Sequence, residues 1–110
     1  MNHPIESKTS KEMKELAPIF VAYGEKILFE EVWQDSTLTS KERSLVTLAA
    51  LISMGNTEQL PFHLQLAEKH GINEKEIIAL VTHIAFYSGW PKAAGALNIL
   101  LNKKKKPLES

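Results

Sequence analysis

Apolar side chains recur every three to four residues through most of the chain, and the stretches are punctuated by glycine and proline. Gly55, Gly71 and the Ser88-Gly89 pair close three stretches, while Pro18 and Pro91 stand where two others begin. Few runs alternate with the period of two that a half-buried strand requires. The pattern predicts an all-α fold, a compact helical domain of five to six helices. At 110 residues the chain has room for one such domain.

Local signals set the expected boundaries. Residues 1–17 read as a polar N-terminal segment with a short helix from about Ser10, where Thr9 and Glu12 have capping-box spacing. Pro18 lacks an N–H and clashes with the preceding turn, so it breaks or restarts that helix. The main domain is expected over 18–101. Its first helix covers about 18–34, with Ile19, Phe20, Tyr23, Ile27, Val32 and Trp33 along it. The next covers 40–54, led by a capping box of Thr39 and Glu42. From Leu45 to Ile52 only Thr47 is polar, and a helix apolar nearly all round is usually buried on several sides. In a domain this small, contact with another subunit is one way to bury it. A third helix is expected over 57–70, capped by Asn56 with Gln59 at the third position and Pro61 near its start. A fourth over 74–88 is capped by Asn73 and Glu76. The last runs from Pro91 to about Leu101, where Gly95 and the neighbouring alanines permit close helix approach. Residues 102–110 then form a basic tail containing Lys103 to Lys106.

Composition removes several function classes. Lys plus Arg is 13 and Asp plus Glu is 13, so the net charge is zero. That balance gives no electrostatic reason to expect a nucleic-acid or acidic-membrane partner. The lysine tail reads as a short solvated segment. There is no cysteine. The chain alone therefore carries no disulfide, thiolate metal site, thiol nucleophile or dithiol peroxidase chemistry. The longest apolar run, Leu48 to Met54, is interrupted by Ser53 and is far below the roughly 18 residues of a membrane span. The first residues lack the basic start and apolar stretch of a signal peptide, so a cytoplasmic location is the default expectation.

A few polar residues stand on apolar faces. His63 lies near Leu60, Leu64 and Ala67, and His70 follows two turns along the same face. A histidine titrates near neutral pH and can serve as general acid or base. The competing reading is a part-buried histidine bonded to the backbone. His83 and Tyr87 are four apart and share a face, as an acid–base group with an orienting phenol or as a polar helix edge. Arg43 can fork onto a carboxylate, or serve as a solvated charge at a helix start beside the capping Glu42. His63, His70 and His83 lack the spacing of ligands on one turn, so no metal is expected.

Several separated segments also carry a likeness. They are Leu28-Phe29-Glu30-Glu31-Val32-Trp33, then Leu38-Thr39-Ser40-Lys41-Glu42-Arg43-Ser44-Leu45, then Gly55-Asn56-Thr57-Glu58-Gln59-Leu60-Pro61-Phe62-His63, then Gly71-Ile72-Asn73-Glu74-Lys75-Glu76-Ile77. The last is His83-Ile84-Ala85-Phe86-Tyr87-Ser88-Gly89-Trp90-Pro91-Lys92-Ala93-Ala94. In this order and spacing they resemble the carboxymuconolactone decarboxylase family, over about residues 18–100. The resemblance implies an AhpD-like helical fold that assembles with itself as a trimer or hexamer. It implies a carboxy-lyase acting without a cofactor on a small carboxylated lactone or related acid, as in aromatic catabolism. The roles it suggests are catalytic for Arg43, His63 and His83, and substrate-binding for Tyr87, Trp90 and Glu42. Arg43 would hold a carboxylate or a developing oxyanion, and His63 would deliver the proton.

The related alkylhydroperoxidase branch uses a CxxC pair, a histidine four residues after its second cysteine, and an upstream glutamate. Matching His63 to that histidine puts Asn56 and Gln59 at the cysteine positions and Ser44 near the glutamate. A family-level peroxiredoxin activity therefore has no nucleophile here. A non-catalytic helical oligomer that binds a small molecule or a protein is the remaining alternative.

Overall fold

A computed structural model describes residues 10–105. Thr9, with the rest of the segment 1–9, and the end of the basic tail from Lys106 lie outside the described residues. Among those described there are six α-helices, one π-helical stretch and no strand. The chain is all-α, as expected. It divides into two compact units, one ending at Ser40 and the other starting at Lys41. This division falls within the segment 18–101.

The first unit begins with α1, Lys11–Leu16. Its cap is Ser10, whose Oγ accepts the Met13 N–H at 2.9 Å. Pro18 disfavours helical geometry in the residue before it. Ala17 accordingly leaves the helical region, with φ −135° and ψ 68°, and Pro18 opens α2, Pro18–Tyr23. The single helix expected over 18–34 does not continue in α form. From Gly24 to Val32 the backbone is π-helical, and the Trp33 N–H donates to the Leu28 carbonyl, five residues back, at 2.8 Å. The apolar pairs Ile27-Leu28 and Val32-Trp33 are themselves five apart, a wider step than an α-turn. The Phe29 ring is buried and stacks on Trp33 with centroids 5.9 Å apart. Asp35 then closes a tight turn, its Oδ1 accepting from the N–H and hydroxyl of Thr37.

The second unit is built from α3, Ser40–Met54, α4, Leu60–Lys69, α5, Glu74–Ser88, and α6, Trp90–Lys105. One apolar core joins them. Leu48, Leu51 and Ile52 enter it from α3, and Leu60, Leu64 and Ala67 from α4. Ile72 enters from the following turn, Ile77, Val81 and Ala85 from α5, and Ala93, Ala96 and Leu100 from α6. The expectation that the 40–54 helix is covered on several sides is not met within this chain. Val46 is 60% exposed and Met54 67% exposed, so α3 buries one stripe and leaves an apolar strip open.

Glycine chemistry fixes the helix ends. Gly55, at φ 71°, donates to the Ile52 carbonyl while Asn56 donates to Leu51. Gly71, at φ 90°, donates to Glu68 while Ile72 donates to Ala67. Both are paired closures around a left-handed residue, which glycine adopts without penalty. Asn56 is thus part of the α3 exit rather than the cap of the next helix, and α4 starts at Leu60 instead of 57. Pro61 falls in its first turn, where its missing N–H costs least. The capping box of Asn73 and Glu76 is formed in both directions at 2.9 Å. Ala85, Ala93 and Ala96 are buried in the core, but a Cβ built on Gly95 would meet nothing within 4 Å, so that glycine is not a close-approach point. The last helix runs to Lys105, past the expected end near Leu101. Lys103 and Lys104 lie within it, paired with Glu68 at 3.7 Å and Glu74 at 3.0 Å.

Candidate functional site

Arg43 stands near the start of α3, half-buried, with its Nε out of solvent. Its carbonyl accepts the Thr47 hydroxyl at 2.8 Å. Glu42, beside it, is exposed on the first turn. Ser44 follows on the buried stripe shared with Leu48 and Leu51, and is 2% exposed. Its Oγ lies 2.7 Å from Nδ1 of His70, at the C-terminal cap of α4. Nothing in the sequence joins these two residues, which stand 26 positions apart. The available signal was a serine on an otherwise apolar stripe.

His63 occupies the first turns of α4, half-buried, with its ring edge-on to Phe62 at 5.0 Å. Burial lowers its pKa below the ordinary histidine value, because the cation loses hydration. Among the described residues neither ring nitrogen takes a hydrogen bond. The imidazole is therefore neutral at pH 7 and has both nitrogens available. Burial lowers the His70 pKa in the same direction. By contrast, the Glu76 carboxyl is held down by the Asn73 N–H first and by the Lys41 ammonium at 2.9 Å second.

The other candidates lie on α5 and the start of α6. His83 and Tyr87 do come together, with ring centroids 5.0 Å apart. Both are exposed, Tyr87 to 78%. Trp90 is exposed as well and meets Phe86 edge-on at 6.0 Å. Among the described residues no hydrogen bond or ring contact links His83 or Tyr87 to His63 or Arg43. The candidates thus fall into two sets within the second unit. Arg43, Ser44, His63 and His70 belong to the α3–α4 pair, and His83, Tyr87 and Trp90 to an open aromatic face. Among the described residues no three histidine or carboxylate groups gather as metal ligands.

Comparison with known proteins gives a family match over residues 15–102, to the model described as the carboxymuconolactone decarboxylase family. The chain is 33% identical over 69 residues to "4-carboxymuconolactone decarboxylase" of Acinetobacter baylyi, covering 63% of this chain and 52% of that protein. It is 34% identical over 82 residues to "Nitrosuccinic acid decarboxylase npaB" of Metarhizium robertsii, covering 71% of this chain and 57% of that protein. The chain spans just over half the length of these relatives.

Proposed function

The chain belongs to the carboxymuconolactone decarboxylase family, and from that premise we propose that it removes CO₂ from a small carboxylic acid bearing an electron-withdrawing neighbour. The relatives' names supply two examples, a carboxylated lactone and a nitro-substituted diacid. In both, the neighbouring group can take up the electron pair that CO₂ leaves behind. No cofactor is needed when the substrate carries its own electron sink.

The observation that carries this reading is the His63 imidazole. It is half-buried, free of hydrogen bonds among the described residues, and on the helix paired with the one bearing Arg43. In the proposed reaction Arg43 binds the substrate's charged oxygen through its guanidinium fork. The C–CO₂ bond breaks, and its electron pair moves into the lactone carbonyl or the nitro group. Arg43 is suited to stabilise the oxygen where that charge develops. His63, as imidazolium, then delivers a proton to carbon and is left neutral. An approaching anion favours the charged form that burial disfavours, so His63 takes up a proton from solvent as the substrate binds. His83, Tyr87, Trp90 and Glu42 remain proposed orienting and binding residues.

Self-association belongs to the same reading. From Ile78 to Trp90 the chain contains no Asp, Glu, Lys or Arg, and Ile78, Thr82, His83, Phe86, Tyr87 and Trp90 are exposed. The aromatic surface alone is on the order of 500 Å², a large share of the roughly 800 Å² that each partner buries in a stable complex. An uncharged face suits a second copy of itself, because like charges do not meet across it.

The test is CO₂ release from 4-carboxymuconolactone and from nitrosuccinate by the purified protein. Turnover by the wild type is expected, with a loss of about 100-fold or more in kcat for His63→Ala and a raised KM for Arg43→Ala. Full turnover by both variants would remove these assignments. No release from either acid by the wild type would favour a non-catalytic binding protein.

A further inference from the structure

Helical hydroxyls in the second unit bond in two ways: Ser88 of α5 reaches across to Ser53 of α3 at 2.7 Å, whereas two threonines bond within their own turn. Thr47 donates to the Arg43 carbonyl and Thr82 to the Ile78 carbonyl, both at 2.8 Å. Ser44 has the same option at the carbonyl four residues back, yet its Oγ reaches across to His70. It is a buried polar side chain in an apolar setting, and that contact is its hydrogen bond. A buried hydroxyl left with an unshared hydrogen carries a desolvation penalty. Donation of the Ser44 hydrogen to Nδ1 would satisfy it, with His70 as the acceptor at that nitrogen in its neutral Nε2–H tautomer.

The bond also fixes geometry. It joins the start of α3 to the end of α4, so the two helices run antiparallel across their short connection. His63 is seven residues before His70, which puts it on nearly the same face and about 10 Å along α4. Arg43 is the residue before Ser44. Any rotation or slip of α4 against α3 at this contact moves His63 relative to Arg43.

We propose that Ser44 and His70 are a positioning pair that sets how α4 faces α3 and thereby holds Arg43 and His63 in one working arrangement, a role that rests on the function proposed above. Neither residue needs to touch the substrate. The pair acts through the alignment of the two that do.

The experiment uses the full chain, its Ser44→Ala, Ser44→Thr and His70→Asn variants, and the Ser44→Ala/His70→Asn double variant. The readouts are the His63 and His70 imidazole signals by NMR across pH, and kcat and KM for 4-carboxymuconolactone. In the wild type His70 Nδ1 should report as an unprotonated acceptor nitrogen. In Ser44→Ala, loosening of the seam should hydrate His63 and move its titration up toward the ordinary histidine value. Its kcat should fall by about 10- to 100-fold, with KM changing much less. Ser44→Thr keeps the hydroxyl and should restore both readouts. His70→Asn should reproduce the loss, and the double variant should be little worse than either single one. If a folded Ser44→Ala or His70→Asn keeps the wild-type His63 titration, the proposal is overturned. Should Ser44→Ala fail to fold, His70→Asn decides. Absence of turnover in the wild type overturns the functional reading, while the His63 titration still decides the pair.

Discussion

Burial leaves the His63 imidazole neutral near pH 7, yet the proposed step spends a proton from it. This gives a directional prediction. Activity should fall as pH rises through the His63 pKa, and the falling limb of kcat should lie at higher pH than that of kcat/KM, because the bound anion raises the pKa in the complex. Limbs that coincide would remove His63 as the acid. Stability carries a second signature. The folded pKa values of His63 and His70 lie below the unfolded value of 6.5, so the unfolded chain binds protons first as pH drops. Their contribution is complete above about pH 6.5 and is lost as pH falls through the folded values. Denaturant melts between pH 7.5 and 5 should show this decline, and a shallower one in His63→Gln. Of these residues His63 and His83 stand out in the sequence as candidates because each is a polar group beside apolar neighbours, while Arg43 stands among the polar residues of a helix start. The Ser44–His70 contact does not stand out there, since its partners lie on different helices 26 residues apart.

At the level of helices, legibility followed the capping chemistry. The bounds 40–54 and 74–88 match α3 and α5, because Asn73 with Glu76 and the glycines at 55 and 89 leave strong local marks. The start of α4 was misplaced because Asn56 fits two roles, and the glycine before it claims its N–H for the preceding helix. The π-helical register after α2 was invisible to a rule tuned to steps of three and four. Two substitutions test the element ends. Asn73→Ala removes an acceptor for the Glu76 N–H and should cost about 0.5–2 kcal/mol. Gly55→Ala meets only Lys92 Cε, at an ordinary 3.8 Å, so its expected cost of about 1–2 kcal/mol is the strain of its positive φ. Thermal or urea unfolding measures both, and a neutral Gly55→Ala would contradict the left-handed assignment.

Over the whole chain the net charge is zero, and no helix among the described residues is long and apolar enough to cross a membrane. The uncharged α5 face is the surface proposed above for a second copy of the chain. Sedimentation should find an assembly larger than the monomer, and Phe86→Glu with Trp90→Glu should shift it toward single chains while helicity is retained. A wild-type monomer at high concentration would exclude that use of the face. The last turn of α6 is held differently from the core. Lys103 and Lys104 anchor it to Glu68 and Glu74, charged pairs that remain partly open to water. Such pairs weaken as salt rises, whereas apolar packing does not. The end of the helix should therefore fray on its own, ahead of the domain it closes. Trypsin cuts after lysine only in opened backbone, so cleavage at Lys103 to Lys105 should quicken with ionic strength while the four-helix core stays intact. The end of α6 would then act as a salt-gated point of entry for proteolysis, set by two glutamates that belong to other helices.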